Sequence, residues 1–225
     1  MNFPAIAKQT YDLLKGQQAF SNISAFIILH LKKISSPTER AKFVHNVVDE
    51  FNREVFAHPL VKELSGCKAG CTGCCHTQVS ITEDEAELLA RIVNDGLKID
   101  RAQLQKQMNA GNKSEDFYKL SYESRKCVFL GSNNLCLVYE DRPSVCRTNA
   151  VLGDSSQCST ENGYDEKKTL RLVKTSQSDM AIIGSFQVSN NSGTLALMLG
   201  KILLKSSVKK EIFQKKKSIS NDFEL

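Results

Sequence analysis

No run of apolar residues in this chain is long enough to cross a bilayer, which needs about 20 consecutive residues. The stretch from Ala25 to Leu31 contains His30, and that from Leu195 to Leu204 is broken by Gly200 and Lys201. Only four prolines occur in 225 residues, so no Pro-rich linker divides the chain and one globular unit is expected. Aromatics make up 7% of the residues. No basic stripe alternates with them, so a nucleic-acid surface has no support. A Gly-rich phosphate loop, a G-x-S-x-G elbow and an H-E-x-x-H helix are all missing, which removes the corresponding enzyme classes. The acidic pair Glu83/Glu87 fits a solvated helix face better than acid–base catalysis. The opening Met-Asn-Phe-Pro shows none of the features of a secretory signal. The expectation is a cytoplasmic protein without a membrane span.

Net charge is close to zero over most of the chain. Residues 201–225 hold seven lysines against three acids, which supplies +4 of the overall +5. Lys209-Lys210 and Lys215-Lys216-Lys217 read as a solvated, flexible basic tail over 209–225.

The residue present in excess is cysteine. Eight occur, four of them in GCKAGCTGCCH at residues 66–76. A chain of this length buries a core without staples, since disulfides or metals become near-obligatory only below about 40 residues. In a reducing compartment, clustered thiols point to metal or catalysis rather than disulfides. The spacing is Cys67-x3-Cys71-x2-Cys74-Cys75, then Cys127, Cys136, Cys146 and Cys158. Thiolates are soft ligands, and sets of four suit zinc or an iron–sulfur cluster. The side chains of a vicinal pair diverge, so Cys74 and Cys75 are expected to face different partners. Eight thiols divide into two sets of four, but spacing does not say which cysteines share a set. The alternative is a closed Zn(Cys)₄ staple with no reactivity.

The periodicity describes a mainly α-helical domain with a small β-hairpin and a cysteine-rich metal-binding loop. Residues 1–65 form an N-terminal helical segment. Ser36-Pro37-Thr38-Glu39 starts a helix, and Val44, Val47, Val48, Phe51 and Val55 give it an apolar face. His45 and His58 beside that face are ordinary surface or satisfied histidines. Gly66, Gly70 and Gly73 supply the unusual dihedrals of a metal-wrapping loop. Residues 78–81 form a short strand, and Thr82–Glu85 is a capping box opening a helix that stops at Asp95-Gly96. Helical pieces follow over 100–110 and 114–120. Residues 126–139 read as a hairpin with a turn-rich Gly-Ser-Asn-Asn centre, carrying Cys127 and Cys136. Arg142-Pro143 starts a short helix with Cys146 and Arg147. Residues 150–166 are loop-like, and 170–173 form a strand. Met180–Val188 and 194–204 make helices within a closing segment over 161–208.

The run Cys67-x3-Cys71-x2-Cys74-Cys75, then Cys127-x-Phe129-Leu130, then Leu135-Cys136-x-Val138-Tyr139-Glu140-x-Arg142-Pro143-x-x-Cys146-Arg147, resembles the CxxCxxCC cysteine-cluster family of YkgJ type. The likeness covers roughly residues 65–160. It departs in two places: the first gap is three residues rather than two, and Val128 stands where proline is usual. The resemblance implies a zinc- or iron-chelating site and a mostly helical fold, not a reaction. A related domain in flagellin lysine methylases, with an iron–sulfur cluster implicated, keeps an iron–sulfur oxidoreductase or methyl-transfer enzyme among the alternatives. The Cys67-x3-Cys71-x2-Cys74 spacing also matches radical S-adenosylmethionine enzymes. Neither the strand–helix alternation nor the Gly-rich motif of those enzymes follows. A zinc-stapled binding module and a metal storage or sensing role complete the list. His76 is a possible extra ligand. Arg142 and Arg147 flank Cys146 and are candidates to offset the anionic charge of the thiolates. Otherwise Arg142 pairs with Glu140 or Asp141, and Tyr139 packs with its hydroxyl on nearby backbone.

Overall fold

The computed structural model describes residues 5–163 and 170–207. It is mainly helical. Four helices come first: α1 (Ala5–Leu14), α2 (Gln18–Leu31), α3 (Pro37–Ala57) and α4 (Pro59–Leu64). Ser36 caps α3 by accepting the Glu39 N–H, with Pro37 in the first turn, where its missing N–H does no harm. His58 closes α3 and caps α4, its Nδ1 accepting the Leu60 N–H.

After the cysteine loop come β1 (Ser80–Thr82), α5 (Glu83–Asn94), α6 (Arg101–Asn109) and α7 (Ser114–Tyr118). The capping box is complete, with Thr82 Oγ1 taking the Glu85 N–H and Glu85 Oε2 taking the Thr82 N–H. The short α8 (Ser144–Arg147) and α9 (Ser176–Val188) follow, then β2 (Ser192–Thr194) and α10, helical over 195–207. Among the described residues, no helix is long and apolar enough to cross a membrane.

Strand β1 pairs antiparallel with β2, Ile81 opposite Gly193. Thr194, expected to open the closing helix, is instead the last residue of this second strand, and Ser192-Gly193 carried no strand expectation. The predicted hairpin over 126–139 is not a pair of strands. It is a tight turn with a single bridge, Leu130 to Cys136, and Asn134 at φ 60° in the turn. The strand expected over 170–173 reduces to one bridge, Val151 to Leu172. Residues 150–153, read as loop, lie between two extended neighbours. They bridge Leu172 on one side and Ser65 on the other.

Two apolar clusters hold the elements together. One joins α1, α2, α3 and α9 through Phe20, Ile27, Leu31, Val48 and Ile183. There Gly184 lets α9 approach α2 so closely that a methyl on it would meet Ile27 Cβ at 3.1 Å. The other joins β1, α5, α6, the Cys127–Cys136 turn and α10 through Ile81, Leu89, Leu104, Phe129 and Leu199. Cys127 and Cys136 pack against this second cluster, so the turn that carries these two cysteines sits on a solid base. The basic tail over 209–225 lies outside the described residues.

Candidate metal centre

All eight cysteines line one cavity of about 1350 Å³. None is in a disulfide. The cavity wall also takes residues from both apolar clusters, including Ile183 and Phe186 from one and Phe129 and Val138 from the other. Cys67 is set by the three extended stretches. Gly66 N–H donates to Val151 O (3.2 Å) and Gly153 N–H to Leu64 O (2.7 Å), while Cys67 Sγ accepts the Val151 N–H at 3.3 Å.

The three glycines of this loop were expected to supply dihedrals, but only Gly70 does so, at φ 88°. Gly66 and Gly73 serve close approach instead. A methyl on Gly66 would overlap the Gly153 carbonyl oxygen, and one on Gly73 would lie 2.9 Å from Cys158 Cβ. Cys74 and Cys75 fall in a 3₁₀ turn, Gly73–His76. Cys127 is tied to it by its N–H, which donates to Cys75 O at 2.7 Å. Two halves of the sequence thus meet at the vicinal pair.

The thiols are not equivalent. Cys75 donates to Cys74, and this bond, with Arg142 and Asn149 nearby, brings Cys74 down to about 7 despite its burial. The same bond pushes Cys75 far up, helped by burial and by the charges at Cys74, Cys127 and Cys146. Burial pushes Cys127 up to about 11, with Cys136 and Cys74 adding to it. Burial also raises Cys67, Cys136 and Cys146, and Cys74 adds to each. Cys71 acts on Cys67. The charge at Cys74 thus reaches Cys67, Cys75, Cys127, Cys136 and Cys146, and Cys158 lies on the same wall, buried against Gly73.

Several backbone amides face sulfur. Phe129 N–H donates to Cys127 and Val138 N–H to Cys136, each two residues on, in addition to Val151 on Cys67. Such bonds stabilise thiolate over thiol and are one of the levers on a cluster's potential.

The two arginines flanking Cys146 behave differently. Arg142 lowers Cys67, Cys74, Cys136 and Cys146. Its Nε is buried without a hydrogen-bond partner among the described residues, and its guanidinium lies 4.2 Å from the Tyr139 ring centroid. It forms no ion pair with Glu140 or Asp141. Tyr139 does not pack inward as expected but is 56% exposed beneath this cation. Arg147 also borders the cavity, but its donors are committed elsewhere, with Nη1 on Asp49 at 2.5 Å, Nε on Arg142 O at 3.0 Å and Nη2 on Glu140 O. His76 stands off the cavity wall. It is buried, its Nδ1–H donates to Thr72 O, and its ring stacks on Tyr122 at 4.1 Å.

Residues 66–170 match the CxxCxxCC family model, described as a "putative zinc- or iron-chelating domain". The match spans just under half of the chain. Comparison with curated proteins and with solved structures gave no match. The donors suit such a metal: soft sulfur ligands, amides directed at them, and a buried arginine Nε without an acceptor. Among the described residues no three His, Cys, Asp or Glu side chains stand close enough to hold an ion as they are.

Proposed function

We propose that the chain is a metal-cluster protein whose ligands come from Cys67, Cys71, Cys74, Cys75, Cys127, Cys136, Cys146 and Cys158, and that the centre is an iron–sulfur cluster. The observation that carries this reading is the convergence of all eight thiols on one cavity. One tetrahedral zinc needs four. A polynuclear centre also gives adjacent Cys74 and Cys75 different metal atoms to bind. The cavity exceeds the usual 300–1,000 Å³ of a small-molecule site, which leaves space for a substrate or electron partner to reach the cluster. Arg142 would offset the anionic charge of the thiolates.

A second reading is a binuclear zinc–thiolate centre bridged by Cys74, which acts on Cys67, Cys75, Cys127, Cys136 and Cys146. Metal and acid-labile sulfide analysis of protein purified without oxygen separates the two. Iron with sulfide and a band near about 400 nm supports the first. Two colourless zinc ions support the second, and no metal refutes both.

A further inference from the structure

The turn that carries Cys146 is held at both ends by a buried polar chain that the thiols themselves do not need. Glu85 is 4% exposed, yet its Oε1 accepts the Ser144 N–H at 2.7 Å, at the start of α8. The same oxygen lies 3.3 Å from His45 Nε2, and His45 is 3% exposed on α3. His45 Nδ1 lies 3.4 Å from Arg147 Nη2, at the other end of α8. Arg147 then reaches Asp49 on α3 and the carbonyls of Glu140 and Arg142.

The direction of this chain follows from donor inventory. A guanidinium only donates, so His45 Nδ1 must accept with its lone pair. The ring proton then sits on Nε2 and is donated to the Glu85 carboxylate. Every bond runs one way: Arg147 to His45, His45 to Glu85, with Ser144 N–H closing on the same carboxylate. A buried carboxylate is expensive unless it is fully hydrogen-bonded, and here five donors converge on Glu85 and its histidine partner. An apolar residue at position 85 would fill the same space, but it would leave the α8 amide and the imidazole N–H unpaired.

We propose that His45 is a positioning residue for the metal centre, acting through Glu85 and Arg147 to seat Cys146 and to aim Arg142 at the thiols. The inference rests on the reading of Cys146 as a metal donor, but its structural content is independent of which metal is bound. The chain joins α3 and α5, two scaffold helices outside the cysteine loop, to the ends of a four-residue helix too short to hold its own place.

The test uses the full-length chain and reads the rate of iodoacetamide alkylation at each cysteine by mass spectrometry. His45→Phe keeps a planar aromatic ring, slightly larger than imidazole, and removes both ring nitrogens. His45→Gln keeps one donor and one acceptor. With helical circular dichroism unchanged, His45→Phe should alkylate Cys146 about tenfold faster relative to Cys67, and His45→Gln should restore the wild-type ratio. In metal-loaded protein, His45→Phe should also release metal to a chelator about tenfold faster. An unchanged Cys146 ratio in His45→Phe overturns the proposal. So does equal acceleration in both variants, which would mean that packing, not hydrogen bonding, matters. If His45→Phe does not fold, Asp49→Asn at a half-exposed position decides, because it loosens Arg147 from α3; an unchanged ratio there also overturns the proposal. Wild-type protein lacking metal would refute the metal reading while leaving the alkylation result to judge the relay.

Discussion

Gly66→Ala tests whether the cysteine loop depends on close backbone approach. The added Cβ overlaps the Gly153 carbonyl oxygen and stands 2.7 Å from Ser155 N. Ordinary carbon contacts begin at about 3.5 Å, so the two segments must part by nearly 1 Å at Ser155 alone. Neither can yield alone, because Gly66 N–H is bonded to Val151 O and Gly153 N–H to Leu64 O, at 3.2 and 2.7 Å. The substitution either stores overpacking strain of about 1–3 kcal/mol or breaks these two bonds and the Val151 N–H bond to Cys67, at about 1 kcal/mol each. The two routes together bracket a loss of about 1–3 kcal/mol, which leaves a typical domain folded. The urea midpoint should fall by about 1 M for an m-value of 2–3 kcal/mol/M. Bound metal should also drop, because Cys67 leaves the cavity wall. Gly70→Ala is the informative control. Nothing lies within 4 Å of its Cβ, but its φ is 88°, so it should lose about 1–2 kcal/mol through left-handed strain without disturbing Cys67. Wild-type metal content and midpoint in Gly66→Ala would refute the close-approach argument.

The hydrogen-bonded pair Cys74–Cys75 should lose its first proton near pH 7 and hold the second well above, since the pair titrates as a unit. In metal-free protein, alkylation at this pair should rise through about pH 7, while Cys127, at about 11, stays unreactive. A single midpoint near 9 for all thiols would contradict this. Arg142→Gln removes the cation that favours the Cys74 thiolate, so the same midpoint should move upward; no movement would remove Arg142 from the site. Burial pushes the Glu85 carboxyl up, but His45, Ser144 and Thr82 donors outweigh it and hold it below the usual range. Its stabilisation is therefore complete above the unfolded value of about 4.3 and declines as pH falls through the lower native value. Glu85→Gln should flatten the acid limb of the stability curve measured by urea unfolding from pH 5 to 2. A limb as steep as wild type would assign acid sensitivity elsewhere.

Local signals in the sequence were strong where a single residue type performs a single local task. The caps at Ser36 and Thr82 and the stripe Val44, Val48, Phe51 placed two helices correctly, because capping and periodicity act within one or two turns. The strand at 192–194 was not legible. It is three residues of Ser-Gly-Thr that pair only because β1 lies alongside, 110 residues away in sequence, which no local pattern encodes. The same holds for the Ala-Val-Leu-Gly run at 150–153, read as loop with the polar segment 150–166 that it opens, whose extended form comes from Ser65 and Leu172 on either side. The glycines of the cysteine loop were visible as special, but their reasons were not. Only tertiary contact distinguishes a glycine needed for its φ from one needed for its missing Cβ, and Gly66 and Gly73 belong to the second kind. His45 looked like any helix-face histidine. Its value lies in a carboxylate 40 residues away.

Arg142 and Arg147 show how position decides chemistry once type is fixed. Both flank Cys146, and both were candidates to offset thiolate charge. Arg147 has Asp49, His45 and two carbonyls to satisfy it. A cation so committed is tied to structure, and its field at the thiols is balanced by Asp49. Arg142 has an aromatic face and a buried Nε without an acceptor, and it lowers four thiols that burial raises. Arg147 also holds the Arg142 carbonyl from behind, so one arginine fixes the backbone from which the other acts. Exchanging Arg147 for Lys keeps the Asp49 charge pair but loses the fork that grips two carbonyls at once. That variant should fold, bind less metal, and move the Cys74 alkylation midpoint upward in the same direction as Arg142→Gln. A midpoint that stays at the wild-type value in Arg147→Lys would mean that Arg142 holds its place without that support.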